Sequence, residues 1–360
     1  MVSKILIILG VALLLVILVM VVAGYIVSAP RYKGPVSDHF DGKEFRNLGG
    51  VQAKGLREIP GWLLNRQRTQ PWGTYHNNKP GPPPPARVNS EIGQSLGTGP
   101  VRVTFINHST VLLQFDGLNV LTDPIYYERT SPVQFAGPKR NSPPGIRFDD
   151  LPKIDILLLS HNHWDHLDIG TVQKLCTRDQ PRVFCPLGVK AFLEERGCAN
   201  VTEMDWGQAI NYADGTTIHC VPAQHFSGRG MFDRNATLWA GYVIDNRAVG
   251  KLYFVGDTGY GPFLKGIGQQ FGPLRLALIP IGAYKPPSFM APIHCSPAQA
   301  VQIHADVQSK QSVAIHFGTF PLADDGETEP VDDLNKALTE KGLPANRFRA
   351  LKNGESFVIN

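Results

Sequence analysis

Ser160-His161-Asn162-His163-Trp164-Asp165-His166-Leu167-Asp168 follows directly on the apolar run Ile154-Asp155-Ile156-Leu157-Leu158-Leu159. A short apolar run bounded by polar residues has the pattern of a buried strand, so the segment reads as a loop leaving a strand end. It holds three histidines and an aspartate within six residues. Neutral imidazole nitrogens and carboxylate oxygens are the donors of open metal sites, zinc sites above all. On a turn leaving the strand, His161 and His163 can point together at one metal while Asp165 and His166 face a second. A polar capping loop with one functional histidine is the competing reading. Asp165 beside His166, which supplies both ligand types at once, argues against it.

Further candidate ligands sit just past other apolar runs. His225 follows TIHCVPAQ, Asp257 follows KLYFVG, and His316 follows SVAI. Each is weak alone, since a histidine at a strand end is commonly structural. Together they place donors at the ends of several strands. Asp257 is the candidate bridge between two metals, because a carboxylate offers two oxygens. Strand-like runs fall at VRVTFI, TVLLQFD, NVLTD, 154–160, 182–186, 217–223, 238–244, 251–257, 276–282, 312–318 and 355–359. Helices are predicted over 170–177, 188–197, 262–271, 297–308 and 331–341. Ser296 before Pro297 marks an N-cap with proline at the first helical position, and Gly342 a C-cap. Strands first and helices interleaved later predict an α+β chain with sheet on sheet and helices outside.

Ile5 to Val27 carries no charge, and as a helix at ~1.5 Å per residue it spans roughly 34 Å, enough for a bilayer core. It exceeds the ordinary apolar region of a cleaved signal. Residues 1–30 therefore read as a retained single-pass membrane anchor, with Ser28-Ala29 leaving cleavage open and the flanking charges leaving the side of the membrane open. Residues 31–100, with the Gly81–Pro85 run, read as a Pro/Gly-rich wrapping arm or linker, for which Trp62, Leu63, Leu64 and Trp72 are the expected apolar anchors. Residues 101–360 form the expected folded domain that carries these donors. Five cysteines without a CxxC pair read as mostly buried, reduced and structural. A formal charge of +4 without a dense Lys/Arg run points away from nucleic acid.

The motifs HNHWDHLD, AQHFS, GDTGY, IHFGTF and LTDP are similar to the ordered motifs of the metallo-β-lactamase superfamily. GPKR (137–140), DWG (205–207), FVGDTGYGPFLKGIGQQFGP (254–273), IPIGAY (279–284) and IHFGTFPLA (315–323) resemble more closely the N-acylphosphatidylethanolamine-hydrolysing phospholipase D family, with coverage from about Asp41 to Asn360. The resemblance implies a four-layer αββα sandwich with the site at its upper edge, and two zinc ions, other divalent transition metals remaining open. His161, His163 and His225 would hold one metal and Asp165, His166 and His316 the other, with Asp257 bridging. Asp123 would support the metal loops. Asp165 would have a second role as proton acceptor. His294, in PIHCSP, would lie near the substrate phosphate, against a competing reading as a surface-loop histidine.

The implied substrate is a membrane phospholipid, hydrolysed without a protein nucleophile; no P-loop is present. Lys139, Arg140 and Arg147 are candidate phosphate contacts, with solvated loop charge as the alternative. Trp164, Phe226, Met231 and Phe232 are candidate acyl-groove residues. A metallo-hydrolase acting on a lactone or other ester is the nearest alternative, and a non-catalytic membrane-tethered metal-binding scaffold the next. The sequence leaves the oligomeric state open, a homodimer included.

Overall fold

The computed structural model describes residues 2–55, 57–64, 66, 72, 99–213 and 215–360; the Gly81–Pro85 run lies outside them. Helix α1 (Val2–Val27) leads, followed by the short α2 (Ile59–Leu64). The first half of the sandwich comprises β1 (Val101–Asn107), β2 (Thr110–Phe115), β3 (Leu118–Thr122), β4 (Ile156–Leu158), α3 (Ile169–Arg178), β5 (Arg182–Pro186), α4 (Val189–Glu194) and β6 (Val201–Met204). The second comprises β7 (Ala209–Ala213), β8 (Thr216–Val221), β9 (Gly241–Asn246), β10 (Gly250–Phe254), α5 (Phe263–Phe271), β11 (Leu276–Pro280), α6 (Pro287–Met290), α7 (Pro297–Asp306), β12 (Ser312–Ile315), α8 (Glu329–Glu340) and β13 (Phe348–Arg349). Strand β14 (Ser356–Ile359) returns to the first sheet.

The strand orders are β14-β1-β2-β3-β4-β5-β6 and β13-β12-β11-β10-β9-β8-β7. Alternation along each strand builds the layers. Tyr242, Ile244, Leu252, Phe254, Leu276 and Leu278 point between the sheets with Phe105, Phe115 and Phe184. Val243, Tyr253, Ala277 and Ile279 point outward under α5, α7 and α8, while Leu157, Leu159 and Val183 pack beneath α3 and α4. The expected αββα sandwich is present. Ser296 caps α7 through a complete capping box with Gln299. Strands β6, β7 and β13 escaped the sequence reading: VTEM and AINYA carry polar residues and only partial burial, and β13 is two residues long.

Two expectations need correction. Cys176 and Cys198 form a disulfide across 22 residues, because α3 and the turn after α4 pack on the same outer face of the first sheet. Cys185, Cys220 and Cys295 are buried free thiols as expected. In the arm, the deep anchors are Phe40 and Phe45, which join Leu238 and Trp239 in one buried cluster, whereas Leu63 and Leu64 are exposed. Phe40 and Phe45 lie among charged residues and show no periodicity, so only long-range packing identifies them.

The topology also sets where the site forms. Strands β1, β3, β4, β8, β10 and β12 all run in one direction, alternating with antiparallel neighbours or pairing in parallel. Their carboxyl ends share one edge of the sandwich, the edge where open sheets expose loops for chemistry. Gly256, at φ +68, makes the turn before Asp257; a side chain there would collide with Ser160 and the Ala240 carbonyl. The Ala240 amide donates to Ser160 O and the His316 amide to His108 O, tying the two sheets together at that edge.

Candidate metal centre

His161 and His163 leave β4, and His225 follows β8 from the other sheet. His161 Nε2 is 2.8 Å from His163 Nδ1, and His225 Nε2 is 3.2 Å from that same atom. A tetrahedral metal bound at 2.0–2.1 Å would hold such nitrogens roughly 3.3 Å apart. A second group gathers Asp165, His166 and His316: Asp165 Oδ2 lies 3.3 Å from His166 Nε2 and 3.3 Å from His316 Nε2. Asp257, after β10, reaches both groups. Its Oδ2 is 3.0 Å from His316 Nε2, 3.1 Å from His166 Nε2 and 3.8 Å from His225 Nε2. His294 is no surface-loop histidine. It is only 8% exposed, and its Nδ1 is 3.8 Å from Asp257 Oδ2.

Residues 118–317 match the beta-lactamase superfamily domain. The chain belongs to the metallo-β-lactamase superfamily. It is 39% identical over 270 residues to N-acyl-phosphatidylethanolamine-hydrolyzing phospholipase D 1 of Caenorhabditis elegans, covering 70% of this chain and 74% of that one. It is 33% identical over 249 residues to the mitochondrial protein of the same activity name from Saccharomyces cerevisiae, covering 68% and 53% respectively. Among solved structures, Igni18, a metallo hydrolase from Ignicoccus hospitalis, superposes with a TM-score of 0.55 at 21% identity over 72% of this chain and 99% of that one, a likeness of fold alone. With the His/Asp cluster, these relationships make this superfamily member a metal-dependent hydrolase.

The donor chemistry fits metal ions. His166 Nε2, Asp257 Oδ1 and His294 Nδ1 are buried without a hydrogen-bond partner among the described residues. Each such orphan is costly unless something else satisfies it. His166 Nε2 lies close to both carboxylates yet lacks the alignment of a hydrogen bond to either, as co-ligands of one ion would. The far sides of His225 and His166 are braced. His225 Nδ1 lies 2.9 Å from Ile293 O, which fixes its proton there and leaves the Nε2 lone pair toward the cluster. Asp123 is fully buried and accepts from Ser160 N at 2.7 Å, Ser160 Oγ at 2.5 Å and His166 Nδ1 at 2.6 Å.

Electrostatics agree. Burial, then neighbouring imidazoles, holds His161 and His163 well below the ordinary histidine range, and burial takes His225 down to about 4. These rings are neutral, as ligands must be. Burial would raise Asp165 and Asp257, but the adjacent histidines override it and hold both carboxyls well below their usual range. In return, burial pulls His316 down while Asp257 and Asp165 more than offset it, taking it up to about 9; His166 is likewise raised. Without a cation, these two histidines must supply the positive charge that the buried carboxylates demand.

Three contributors were not read from the sequence. His108 ends β1 in the turn Asn107-His108-Ser109-Thr110, and its Nε2 is 3.1 Å from Asp165 Oδ2. Burial, then His316, lowers it to about 3. Its position after VRVTFIN repeats the pattern of the other site histidines, and that was the available signal. Asn47, from the arm, brackets the His225 backbone: its Oδ1 accepts from His225 N and its Nδ2 donates to His225 O. Arg229 stacks on Trp164 at 3.7 Å and donates to the Asn162 and Leu167 carbonyls, clamping both ends of the histidine loop. The expected phosphate contacts are otherwise engaged. Arg140 is buried and donates to the Tyr127 and Ile125 carbonyls, Arg147 pairs with Asp150, and Lys139 with Glu128.

Proposed function

We propose that the chain is a membrane-anchored dinuclear zinc phosphodiesterase that hydrolyses N-acylphosphatidylethanolamine to N-acylethanolamine and phosphatidic acid. The observation that carries the two-metal reading is the approach of one atom, Asp257 Oδ2, to both donor groups. The names of the nematode and yeast relatives support the substrate. In this reading His161, His163 and His225 would hold one ion and Asp165, His166 and His316 the other, with Asp257 shared between the two sets. Two such ions would supply water activation and neutralisation of phosphate charge.

The chain's own groups do the rest. Asp165 orients the second set and accepts a proton from the attacking water. His294, buried beside Asp257 with Nδ1 unpartnered, donates to a phosphate oxygen. Asp123 and the Ile293 carbonyl fix the tautomers of His166 and His225. The apolar helix Lys4–Val27, with a mean hydropathy of 3.6 and no part of its most apolar window buried in the protein, supports placement at a membrane. The test is turnover of N-acylphosphatidylethanolamine in mixed micelles by the full chain, followed as phosphatidic acid by mass spectrometry. Release that chelator stops and zinc restores is expected. No release from protein holding about two metals per chain would discard the substrate in favour of lactones or other esters.

A further inference from the structure

Helix α1 does not end as a loose tether. Ser28 Oγ accepts from the Phe232 amide, and the Ala29 amide donates to Asp233 Oδ2 at 2.8 Å. The same Asp233 carboxylate accepts from the Arg229 and Gly230 amides. The helix and the 228–234 loop meet through two glycines: a side chain on Gly230 would collide with Ser28 and the Gly24 carbonyl, and one on Gly24 with Met231. The loop is therefore fixed, yet it presents Met231 and Phe232 56% and 43% exposed, beside Tyr25 at 72%. A rigid loop holding bare apolar side chains next to a bilayer-length helix is a surface that something apolar covers.

Between helix and loop lies a cavity of about 770 Å³ walled by Val21, Val22, Tyr25, Met231 and Phe232, within the size range of ligand sites. Its polar rim has two guanidinium groups, Arg31 and Arg234, against one carboxylate, Glu44. Arg31 spends one N–H on Lys43 O and one on Phe232 O, and Arg234 is held through Nη2 by the Lys54 carbonyl. Each guanidinium carries five N–H donors, so both retain donors for an anion. An apolar floor formed partly by a bilayer-length helix, with net positive charge at interface depth, matches an acyl chain ending in a phosphate. The cavity also adjoins the metal centre: Arg234 lies 4.8 Å over the Phe226 ring, which packs edge-on against His163 at 4.3 Å.

We propose that this cleft is a phospholipid-binding site separate from the catalytic centre, holding one bilayer lipid with its acyl chain along Val22 and Met231 and its phosphate at Arg31 and Arg234. It rests on the membrane placement above but not on the substrate. The test is native mass spectrometry of the full chain in mild detergent, titrated with palmitoyl-oleoyl phosphatidylglycerol. Wild type is expected to retain one lipid. Val22→Trp, which fills the cleft, and the double variant Arg31→Gln/Arg234→Gln are each expected to bind about tenfold more weakly or worse. Leu14→Trp, on the same helix but away from the cleft, should bind as wild type. Unchanged metal content and circular dichroism establish that the variants fold. Equal retention by all four proteins, or competition by glycerol phosphate as strong as by the intact lipid, would overturn the site. N-acylphosphatidylethanolamine turnover on the same preparations separates the readings. Turnover without lipid retention removes the cleft and leaves the function; retention without turnover does the reverse.

Discussion

Replacing Asp123 by Asn changes one oxygen for an amide nitrogen in a fully buried site and touches none of the proposed ligand atoms. The carboxylate accepts three hydrogen bonds, from Ser160 N, Ser160 Oγ and His166 Nδ1. An asparagine keeps one acceptor oxygen and presents an NH2 to one of those donors. If the NH2 faces Ser160, the amide that shapes the start of the histidine loop loses its partner. If it faces His166 Nδ1, that nitrogen must give up its proton, which moves to Nε2, the atom 3.1 Å from Asp257 Oδ2. Either arrangement removes a charge-assisted bond worth about 1.5–3 kcal/mol, a factor of roughly 10 to 150 at about 1.4 kcal/mol per decade. Loss of such an outer support ordinarily lowers metal affinity or activity about 10–100-fold. The assay is metal affinity by chelator competition, with occupancy by plasma mass spectrometry. An Asp123→Asn protein with full occupancy and wild-type affinity would refute the claim that this carboxylate sets the His166 tautomer.

Asp257→Asn should abolish turnover and reduce bound metal toward half or less; full metal with full rate would remove the bridging role. Asp233→Ala leaves the Ala29, Arg229 and Gly230 amides without their acceptor and should cost about 2 kcal/mol or more, read as a lower unfolding midpoint in detergent; an unchanged midpoint would mean the helix end is not latched. In metal-free protein the folded His316 value of about 9 exceeds the ordinary 6.5, so its stabilisation is complete below about 6.5 and is lost as pH rises through 9. The depressed Asp165 and Asp257 contribute in the opposite sense, losing their share only in strong acid. Thermal midpoints of stripped protein should therefore fall between pH 6.5 and 9.5 while metal-loaded protein stays flatter, and parallel curves would contradict this. Cys198→Ser opens a loop closed across 22 residues and should cost about 3 kcal/mol without changing metal content, because the bridge lies on the outer face; a metal-poor variant would show coupling that the packing does not contain.

The HNHWDHLD block was legible because its donors are adjacent in sequence and follow an unmistakable strand. His225, Asp257 and His316 were legible only as a set, each past an apolar run, and their meeting required β8, β10 and β12 to point the same way. The apolar character and length of α1 are likewise local properties. His108 lacked a neighbouring ligand in sequence; its place after VRVTFIN was the one local signal, and the approach of β1 to the Asp165 loop decides its role. Phe40, Phe45 and Asn47 sit in a stretch whose composition reads as a linker, and they become core only against Trp239 and His225.

What the sequence determined by itself was most of the strand and helix pattern, the long apolar helix α1 and most of the candidate donor set, because periodicity and ligand type are properties of neighbouring residues. The tertiary structure alone decided the Cys176–Cys198 pair, the engagement of Arg140 away from any phosphate, and the docking of residue 29 onto residue 233. These contacts link positions 13 to 204 residues apart. Nothing local encodes such distances. They exist because two twisted sheets, once packed face to face, leave those side chains nowhere else to go.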